Sequence, residues 1–246
     1  MPTSLEDKLK YLRLSAIQQS LQSRNQYALD NKLSYIDFFE MLVEDECARR
    51  KANAYRQRLA KSKLKQTKTF DKYDFKFQPQ LDKKLIHELT GCRFIPENKN
   101  IIFLGKPGVG KTHLANAIGL YALEHNYSVI FAHANSLMDK ILAAKADNSH
   151  RRLISNIIKT DLLIIDELGF RKIPQLALDD FFEIIRSRYE TKSTIFTSNR
   201  NFEDWQQIFG DKVLAGAIID RIVHHAHIIK INGESYRVKD FLAEKP

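Results

Sequence analysis

Five short apolar runs constrain the fold of this 246-residue chain more than any other feature. Each run has four to six residues, mostly β-branched or aromatic, and a helix-length segment separates it from the next. The runs lie at residues 101–104, 128–132, 161–166, 194–199 and 227–231. Strands of this kind are typical of a parallel sheet with helices on both faces. We therefore predict a three-layer α/β domain with a five-stranded parallel sheet.

The start of the chain has a different pattern. Apolar residues recur at helical spacing from Leu5, Ser34 can cap a helix, and no Gly or Pro occurs between Thr3 and Phe77. This predicts a small all-α domain over residues 1–68 and an α/β domain over residues 69–246. The polar stretch 65–79 is interpreted as a linker, whose aromatic side chains anchor it on the second domain.

The positive charge is concentrated in the first part of the chain. The net charge is +9, and residues 1–70 hold 14 Lys and Arg against 8 Asp and Glu, a net of +6. Nine basic residues and no acidic one occur from Arg49 to Lys68. Such a run predicts a nucleic-acid partner, although a solvated helix face has the same composition. The predicted DNA-binding residues are Arg49, Arg50, Lys51, Arg56, Arg58, Lys61, Lys63 and Lys65.

Composition also indicates where the chain works. No apolar run approaches the ~18 residues that a membrane span needs, and the first residues do not form a secretory signal. Two cysteines, Cys47 and Cys92, cannot build a disulfide framework. We expect reduced thiols, a cytoplasmic location and no membrane partner.

The first apolar run leads into "GKPGVGKT" at residues 105–112, which matches the phosphate-binding P-loop pattern. Glycines let backbone amides turn toward phosphate oxygens, and the helix that follows adds its positive end. Lys111 is expected to reach the β- and γ-phosphates, and Thr112 to ligate Mg²⁺. The predicted ATP-binding residues are Gly105, Lys106, Pro107, Gly108, Val109, Gly110, Lys111, Thr112 and His113.

Two later runs end in polar residues that suit nucleotide hydrolysis. "DLLIIDE" places Asp166 at the end of a strand, where it can hold Mg²⁺, and Glu167 beside it is the candidate that activates the attacking water. "TIFTSN" ends in Asn199, a candidate sensor of the γ-phosphate, and Thr197 or Ser198 could share that role. A purely structural Glu167 and a strand-capping Asn199 are the alternatives.

A candidate arginine finger precedes the last run. Arg221 in "AIIDRIVHHAHIIKI" is predicted to reach the γ-phosphate of a neighbouring subunit, with a salt bridge to Asp220 as the alternative. Arg186 and Arg188 are the other candidates for this role. Three nearby histidines, at positions 224, 225 and 227, lack a Cys to complete a metal site, so metal binding there is not expected. Trp205 is interpreted as a packing residue.

Together these segments resemble the AAA+ ATPases, in the branch of DnaC-type helicase loaders and IstB-type transposition helpers. The similarity to the IstB type rests on "GKPGVGKTHLANAIG", "DLLIIDELGF", "RYETKSTIFTSN" and "DRIVHHAHIIKINGESYR", together with the basic helical module. Phe170 stands where that family commonly has Tyr. Only 15 residues follow Ile231, too few for the separate helical lid of standard AAA+ proteins, and Arg237 is a candidate replacement for the arginine of that lid.

The resemblance implies an ATPase that uses ATP and Mg²⁺ and assembles on double-stranded target DNA as a ring or helical homo-oligomer. It also implies an insertion-sequence transposase as protein partner, with hydrolysis resetting the assembly. A replicative helicase loader is the main alternative, but its N-terminal module should dock a helicase rather than grip DNA. A small-molecule P-loop kinase is a further alternative, although no acceptor site is recognisable.

Overall fold

The structure, a computed structural model, describes residues 4–243, and it describes side chains as far as residue 239. The chain divides into two compact units, with the boundary between Gln57 and Arg58. We call residues 4–57 the N-terminal unit and residues 58–243 the α/β unit. This structural division falls earlier than the domain boundary predicted after residue 68. The predicted domains begin at residue 1 and end at residue 246, and both of these residues lie outside the described range.

Three helices form the start of the chain: α1 (Leu5–Tyr11), α2 (Ser15–Asp30) and α3 (Tyr35–Ser62), the last of which continues across the unit boundary. The α/β unit then contains a short 3-10 helix (Phe70–Lys72) and eight further described helices. These are α4 (Lys83–Thr90), α5 (Lys111–Glu124), α6 (Ala134–Ala146), α7 (His150–Lys159), α8 (Gln175–Arg188), α9 (Phe202–Phe209), α10 (Lys212–Val223) and α11 (Tyr236–Ala243).

The N-terminal unit has a small core, which consists of the buried Leu9, Ile17 and Leu42 with three half-buried apolar neighbours. Helix α3 begins as its sequence predicts, because the Asp37 amide donates to Ser34 Oγ. Buried Glu46 accepts a hydrogen bond from the Ala16 amide at 2.8 Å, which ties α3 to the start of α2.

The sheet confirms the predicted five parallel strands, in the order β2-β3-β4-β1-β5. The strands are β1 (Asn100–Gly105), β2 (Val129–His133), β3 (Leu162–Asp166), β4 (Ser193–Ser198) and β5 (Ala226–Ile231). The three central strands, β3, β4 and β1, are buried along almost their whole length, whereas the edge strands β2 and β5 are partly exposed. Central strands of a covered sheet are expected to be apolar on both faces, as these are.

Helices cover the sheet and align the strand ends that carry polar residues. Helix α5 buries ten of its fourteen residues, and it starts directly at the P-loop. A large apolar cluster gathers side chains of α6, α8, α9 and α10 around β3 and β4. In the described part of the chain β5 is followed by one helix, α11, and no described helix is long and apolar enough to cross a membrane.

Candidate nucleotide-binding site

The P-loop connects β1 to α5 and lies at the carboxyl end of the sheet. Gly108 and Gly110 have φ angles of 84° and 97°, which only glycine adopts without strain. A Cβ on Gly108 would lie 2.0 Å from Ser235 Oγ, and one on Gly110 would lie 2.5 Å from Tyr73 Cε2. Two other segments therefore approach the loop closely: the predicted linker on one side and the chain after β5 on the other.

Lys111 is a buried cation at the start of α5. Its Nζ donates to the carbonyl oxygens of Gly105 at 2.7 Å and Lys106 at 2.8 Å. Burial lowers the pKa of the Lys111 ammonium, and the nearby charges of Asp166 and Glu167 oppose that shift. The ammonium therefore lies inside the loop, where phosphate oxygens can replace the two carbonyls as partners.

Asp166 and two hydroxyls form a group of oxygen atoms beside the loop. Asp166 is fully buried, and its Oδ1 accepts hydrogen bonds from Thr112 Oγ1 at 2.8 Å and Thr197 Oγ1 at 2.6 Å. Its Oδ2 accepts no hydrogen bond from the described residues, and His133 Nδ1 lies 3.1 Å away from it. A buried carboxylate with an unsatisfied oxygen beside a hydroxyl fits the oxygen coordination that Mg²⁺ prefers.

Glu167 follows Asp166 with its side chain directed to solvent-accessible space, since 55% of it is exposed. Its φ angle of 59° is unusual for a residue other than glycine, and such strained conformations occur often at functional sites. The Glu167 amide donates to Thr197 Oγ1 at 2.9 Å. Thr197 thus contacts both acidic residues and fixes their relative positions.

The three candidate sensors of the γ-phosphate at the end of β4, Thr197, Ser198 and Asn199, have different surroundings. Asn199 is exposed and lines the cleft described below. Ser198 is buried, donates to the Leu168 carbonyl, and accepts from the Trp205 indole Nε1 at 3.2 Å. Trp205 is fully buried, as expected of a packing residue.

A cleft of about 380 Å³ brings these elements together. The P-loop residues 107–113, Glu167, Phe170 and Asn199 line one part of it. His113 also contacts the linker, because its Nε2 lies 2.6 Å from the Thr69 carbonyl oxygen. The predicted P-loop residues therefore share one cleft, with Gly105 and Lys106 just behind it as partners of Lys111.

The predicted linker contributes more to this cleft than its sequence suggested. Phe70 and Tyr73 are buried, and the Tyr73 hydroxyl donates to the Val109 carbonyl at 3.3 Å. The aromatic residues thus anchor the segment on the α/β unit, as expected. The cleft lining from this segment, which was not predicted, comprises Lys68, Lys72, Tyr73, Asp74, Phe77 and Gln78.

The chain after β5 closes the other side of the cleft. The Tyr236 amide donates to the Gly108 carbonyl at 3.0 Å, and Gln78 Nε2 donates to the Glu234 carbonyl at 3.1 Å. Tyr236 and Arg237 both line the cleft. Arg237 therefore lies at the nucleotide cleft, and its replacement of a lid arginine stays a prediction.

The candidate arginine fingers have different surroundings. Arg221 is half-buried, donates to the Ala217 carbonyl at 2.8 Å, and lies over the rings of Phe182 and Tyr189. It forms no ion pair with Asp220 in the described structure, and it does not line the cleft of its own chain. Arg186 is exposed and pairs with Glu183.

Arg188 cannot act as a finger, which corrects the prediction that included it. It is 2% exposed, and its guanidinium donates to Thr194 Oγ1 and to backbone carbonyls that include those of Ile157 and Thr160. Since every one of these partners is inside the fold, Arg188 holds α7, α8 and β4 together.

Two histidine positions show what the sequence did not reveal. His133 ends β2 and is paired in register with Asp166 at the end of β3. Sequence reasoning missed this residue, although a polar residue directly after the apolar run 128–132 was a signal for a place in the site. His224 and His225 meet Glu190, with one ligand atom from each within 4.8 Å of the others. The His224 Nδ1 also lies 2.6 Å from the Tyr189 hydroxyl oxygen.

The predicted DNA-binding residues are in unequal positions. Lys51, Lys61, Lys63 and Lys65 are exposed, and Arg56 is exposed with a hydrogen bond to Asn53. Arg49 contacts Gln19, and Arg50 pairs with Glu46. Arg58 donates to the Leu123 carbonyl and to Asn126 Oδ1 at the end of α5, so it is the least available of the eight.

Comparison with known proteins places the chain in a family. The family described as IstB-like ATP binding protein matches residues 7–243. The ATP-binding protein of insertion sequence IS21 from Pseudomonas aeruginosa is 37% identical over 96% of this chain and 89% of its own length. The corresponding protein of insertion sequence IS232 from Bacillus thuringiensis is 36% identical over 98% of this chain and 96% of its own length.

Solved structures support the fold. The crystal structure of DnaI superposes with a TM-score of 0.58 and 23% identity, over 69% of this chain and 95% of that one. This likeness confirms the predicted three-layer fold of the α/β unit. Because the family match spans nearly the whole described chain and the P-loop lies in an intact cleft, this protein is an insertion-sequence ATPase and belongs to the IstB-like ATP-binding family.

Proposed function

We propose that this ATPase binds double-stranded target DNA, assembles on it as a homo-oligomer and assists the transposase of its insertion sequence. ATP acts in this scheme as a switch for assembly, and hydrolysis resets the complex. The relatives are named as proteins of insertion sequences, which supports a role beside a transposase. The exposed basic run and the nucleotide cleft support the scheme itself.

The observation that carries the DNA-binding part is the basic run without a counter-charge. Nine Lys and Arg residues lie between positions 49 and 68, and several of their side chains are exposed. A surface of this composition attracts the phosphate backbone of DNA without regard to sequence. This fits a protein that must assemble on many different target sites.

The nucleotide roles follow from the cleft. Lys111 neutralises the β- and γ-phosphates once they displace the carbonyls that it now contacts. Thr112 and Asp166 would hold Mg²⁺, which would neutralise charge that develops on the phosphate oxygens. Glu167 accepts a proton from the attacking water, and Asn199 contacts the γ-phosphate.

The assembly is head-to-tail, and Arg221 supplies the contact between subunits. Arg221 has a defined position beside Phe182 and Tyr189, yet it is absent from the lining of its own cleft. A head-to-tail interface can place it at the γ-phosphate of the next subunit, and such interfaces propagate as rings or helices. Hydrolysis then depends on assembly.

A pair of matched charge reversals tests the DNA-binding proposal. Lys51→Glu with Lys61→Glu changes two exposed residues of the basic run, and Lys8→Glu with Lys10→Glu makes the same charge change at exposed positions of α1. We expect only the first pair to weaken duplex DNA binding, for all sequences alike. The slope of log affinity against log salt should become shallower by about 0.9 for each phosphate that the variant no longer neutralises.

The two variants must be compared in titrations over several salt concentrations, with ATP present. An equal loss of affinity in both would mean that net charge alone matters. An unchanged affinity and salt slope in the Lys51 and Lys61 variant would place DNA binding elsewhere in the chain. Transposase capture on DNA-coated beads, with and without ATP, tests the partner.

A further inference from the structure

The nucleotide cleft is surrounded by more positive charge than the P-loop alone provides. Four basic side chains line it, namely Lys68, Lys72, Lys111 and Arg237, against the carboxylates of Asp74 and Glu167. Asp74 is paired with Lys239 at 3.1 Å, so its charge is largely compensated. This excess of cations suits a triphosphate and raises the question of which of them contact it.

Lys68 differs from the other basic residues of the preceding run. It is half-buried, whereas Lys61, Lys63 and Lys65 are exposed. Its ammonium forms no hydrogen bond or ion pair with any described residue. Its stem is partly covered while its side chain lines the cleft, so the ammonium is available to an anion that binds there.

The backbone around Lys68 is fixed on the helix that begins at the phosphate site. Buried Asn116 of α5 accepts from the Lys65 amide at 2.8 Å, and its Nδ2 donates to the carbonyls of Lys65 at 2.8 Å and Lys68 at 3.1 Å. The next residue, Thr69, contacts His113 of the first turn. These bonds fix the position of Lys68 relative to the P-loop.

The charge of Lys68 interacts with the same acidic residues as that of Lys111. Burial lowers the pKa of Lys68, as does the charge of Lys65, while the carboxylates of Asp166 and Glu167 oppose the shift. The same two carboxylates act on Lys111. Lys68 and Lys111 therefore line one cleft and interact electrostatically with the same two carboxylates.

We propose that Lys68 is a second phosphate-binding lysine, which contacts the terminal phosphate of ATP from the linker side of the cleft. The contact distinguishes ATP from ADP, because ADP lacks the phosphate that Lys68 reaches. It also makes the segment that directly follows α3 part of the nucleotide site. The proposal rests on the ATPase activity and is independent of the proposed role in transposition.

The test compares three variants of the full chain. Lys68→Met keeps the apolar stem and removes the charge, Lys68→Arg keeps the charge, and Lys76→Gln alters an exposed lysine of the same linker that does not line the cleft. Dissociation constants for fluorescent ATP and ADP analogues are measured with Mg²⁺ for each. Thermal unfolding without nucleotide checks that each variant folds.

We expect Lys68→Met to weaken ATP binding by about tenfold or more, the range of a charge-assisted hydrogen bond, and to weaken ADP binding much less. Lys68→Arg should keep most of the preference for ATP, and Lys76→Gln should match the wild type. An unchanged ratio of ATP to ADP affinity in Lys68→Met would overturn the proposal. So would an equal change in Lys76→Gln, because the effect would then be one of general charge.

Discussion

The two units of this protein differ in how they use charged residues. In the α/β unit the charged groups Asp166, Lys111 and Arg188 are buried, and each has specific hydrogen-bond partners. In the N-terminal unit the core is small, and even large apolar side chains such as Tyr35 and Ile36 are 93% and 76% exposed. The α/β unit holds these polar atoms in fixed positions, whereas the N-terminal unit leaves large side chains exposed.

In the proposed function the buried polar groups of the α/β unit serve ATP, and the exposed basic run, which crosses the unit boundary, serves DNA. A triphosphate needs fixed donors at defined distances, which a close-packed sheet with buried polar groups can supply. A DNA backbone is a repeating array of charges, which exposed lysines and arginines can contact without fixed geometry. The comparison therefore predicts that changes in the two units will affect different measurements.

The largest expected effect is on hydrolysis, in the α/β unit. An arginine finger contributes roughly 10³ to 10⁵ in rate, so Arg221→Ala should abolish hydrolysis almost completely while ATP affinity stays close to that of the wild type. Mixing Arg221→Ala with Lys111→Ala on DNA should restore part of the activity, because each variant supplies what the other lacks. Steady-state phosphate release from mixed assemblies measures this.

The mixing experiment needs proof that the two variants assemble together, for example by differently labelled subunits. If mixed assemblies form and no activity returns at any ratio, Arg221 acts within its own chain or only stabilises the fold. Arg186→Ala is the matched control, since that arginine is exposed and pairs with Glu183. It should change hydrolysis little.

A smaller effect is expected from a cavity in each core. Leu42→Ala removes one of three buried residues from the core of the N-terminal unit, and Ile164→Ala removes a fully buried residue of β3. Each should cost about 2–5 kcal/mol of unfolding free energy. We expect Leu42→Ala to unfold residues 4–57 and impair DNA binding while ATP binding persists.

Calorimetry and limited proteolysis distinguish the two variants. Ile164→Ala should lower the transition of the α/β unit and abolish nucleotide binding. If Leu42→Ala instead lowers the stability of the whole chain and removes ATP binding, the two units do not unfold independently, and the comparison between them would fail.

The smallest expected effect concerns the two cysteines, one in each unit. Cys47 is exposed on α3, whereas Cys92 is 1% exposed and burial raises its pKa to about 12. A thiol reagent should therefore modify one cysteine quickly at mildly alkaline pH, and Cys47→Ser should remove that reaction. Two thiols that react at the same rate would mean that the region around Cys92 opens readily.

The sequence predicted most of the fold because the signals were local. The apolar runs located all five strands to within about two residues, since buried central strands need continuous apolar sequence. The P-loop, Asp166 and Glu167 were recognisable because their chemistry depends on neighbours along the chain. Ser34 was a correct helix cap for the same reason.

The remaining features depend on interactions between distant segments. Lys68 reaches the cleft only because Asn116 fixes its backbone, and no pattern around either residue shows this. The position of Arg188 along the chain allowed it to be a candidate finger. It lies inside the fold because its donors satisfy carbonyls at the end of α7 and at the start of β4. Glu190 joins His224 and His225 only through the packing of the chain after α8.

The central claim is that ATP occupancy, and not its hydrolysis, holds the protein on DNA. The most direct measurement is the lifetime of the DNA complex with ATP and Mg²⁺ for the wild type, Glu167→Gln and Lys111→Ala. We predict that Glu167→Gln binds ATP normally, hydrolyses it far more slowly and stays on DNA longer than the wild type, while Lys111→Ala binds neither ATP nor DNA stably. Equal loss of ATP binding in both variants, or a Glu167→Gln complex that dissociates as fast as the wild type, would contradict the account.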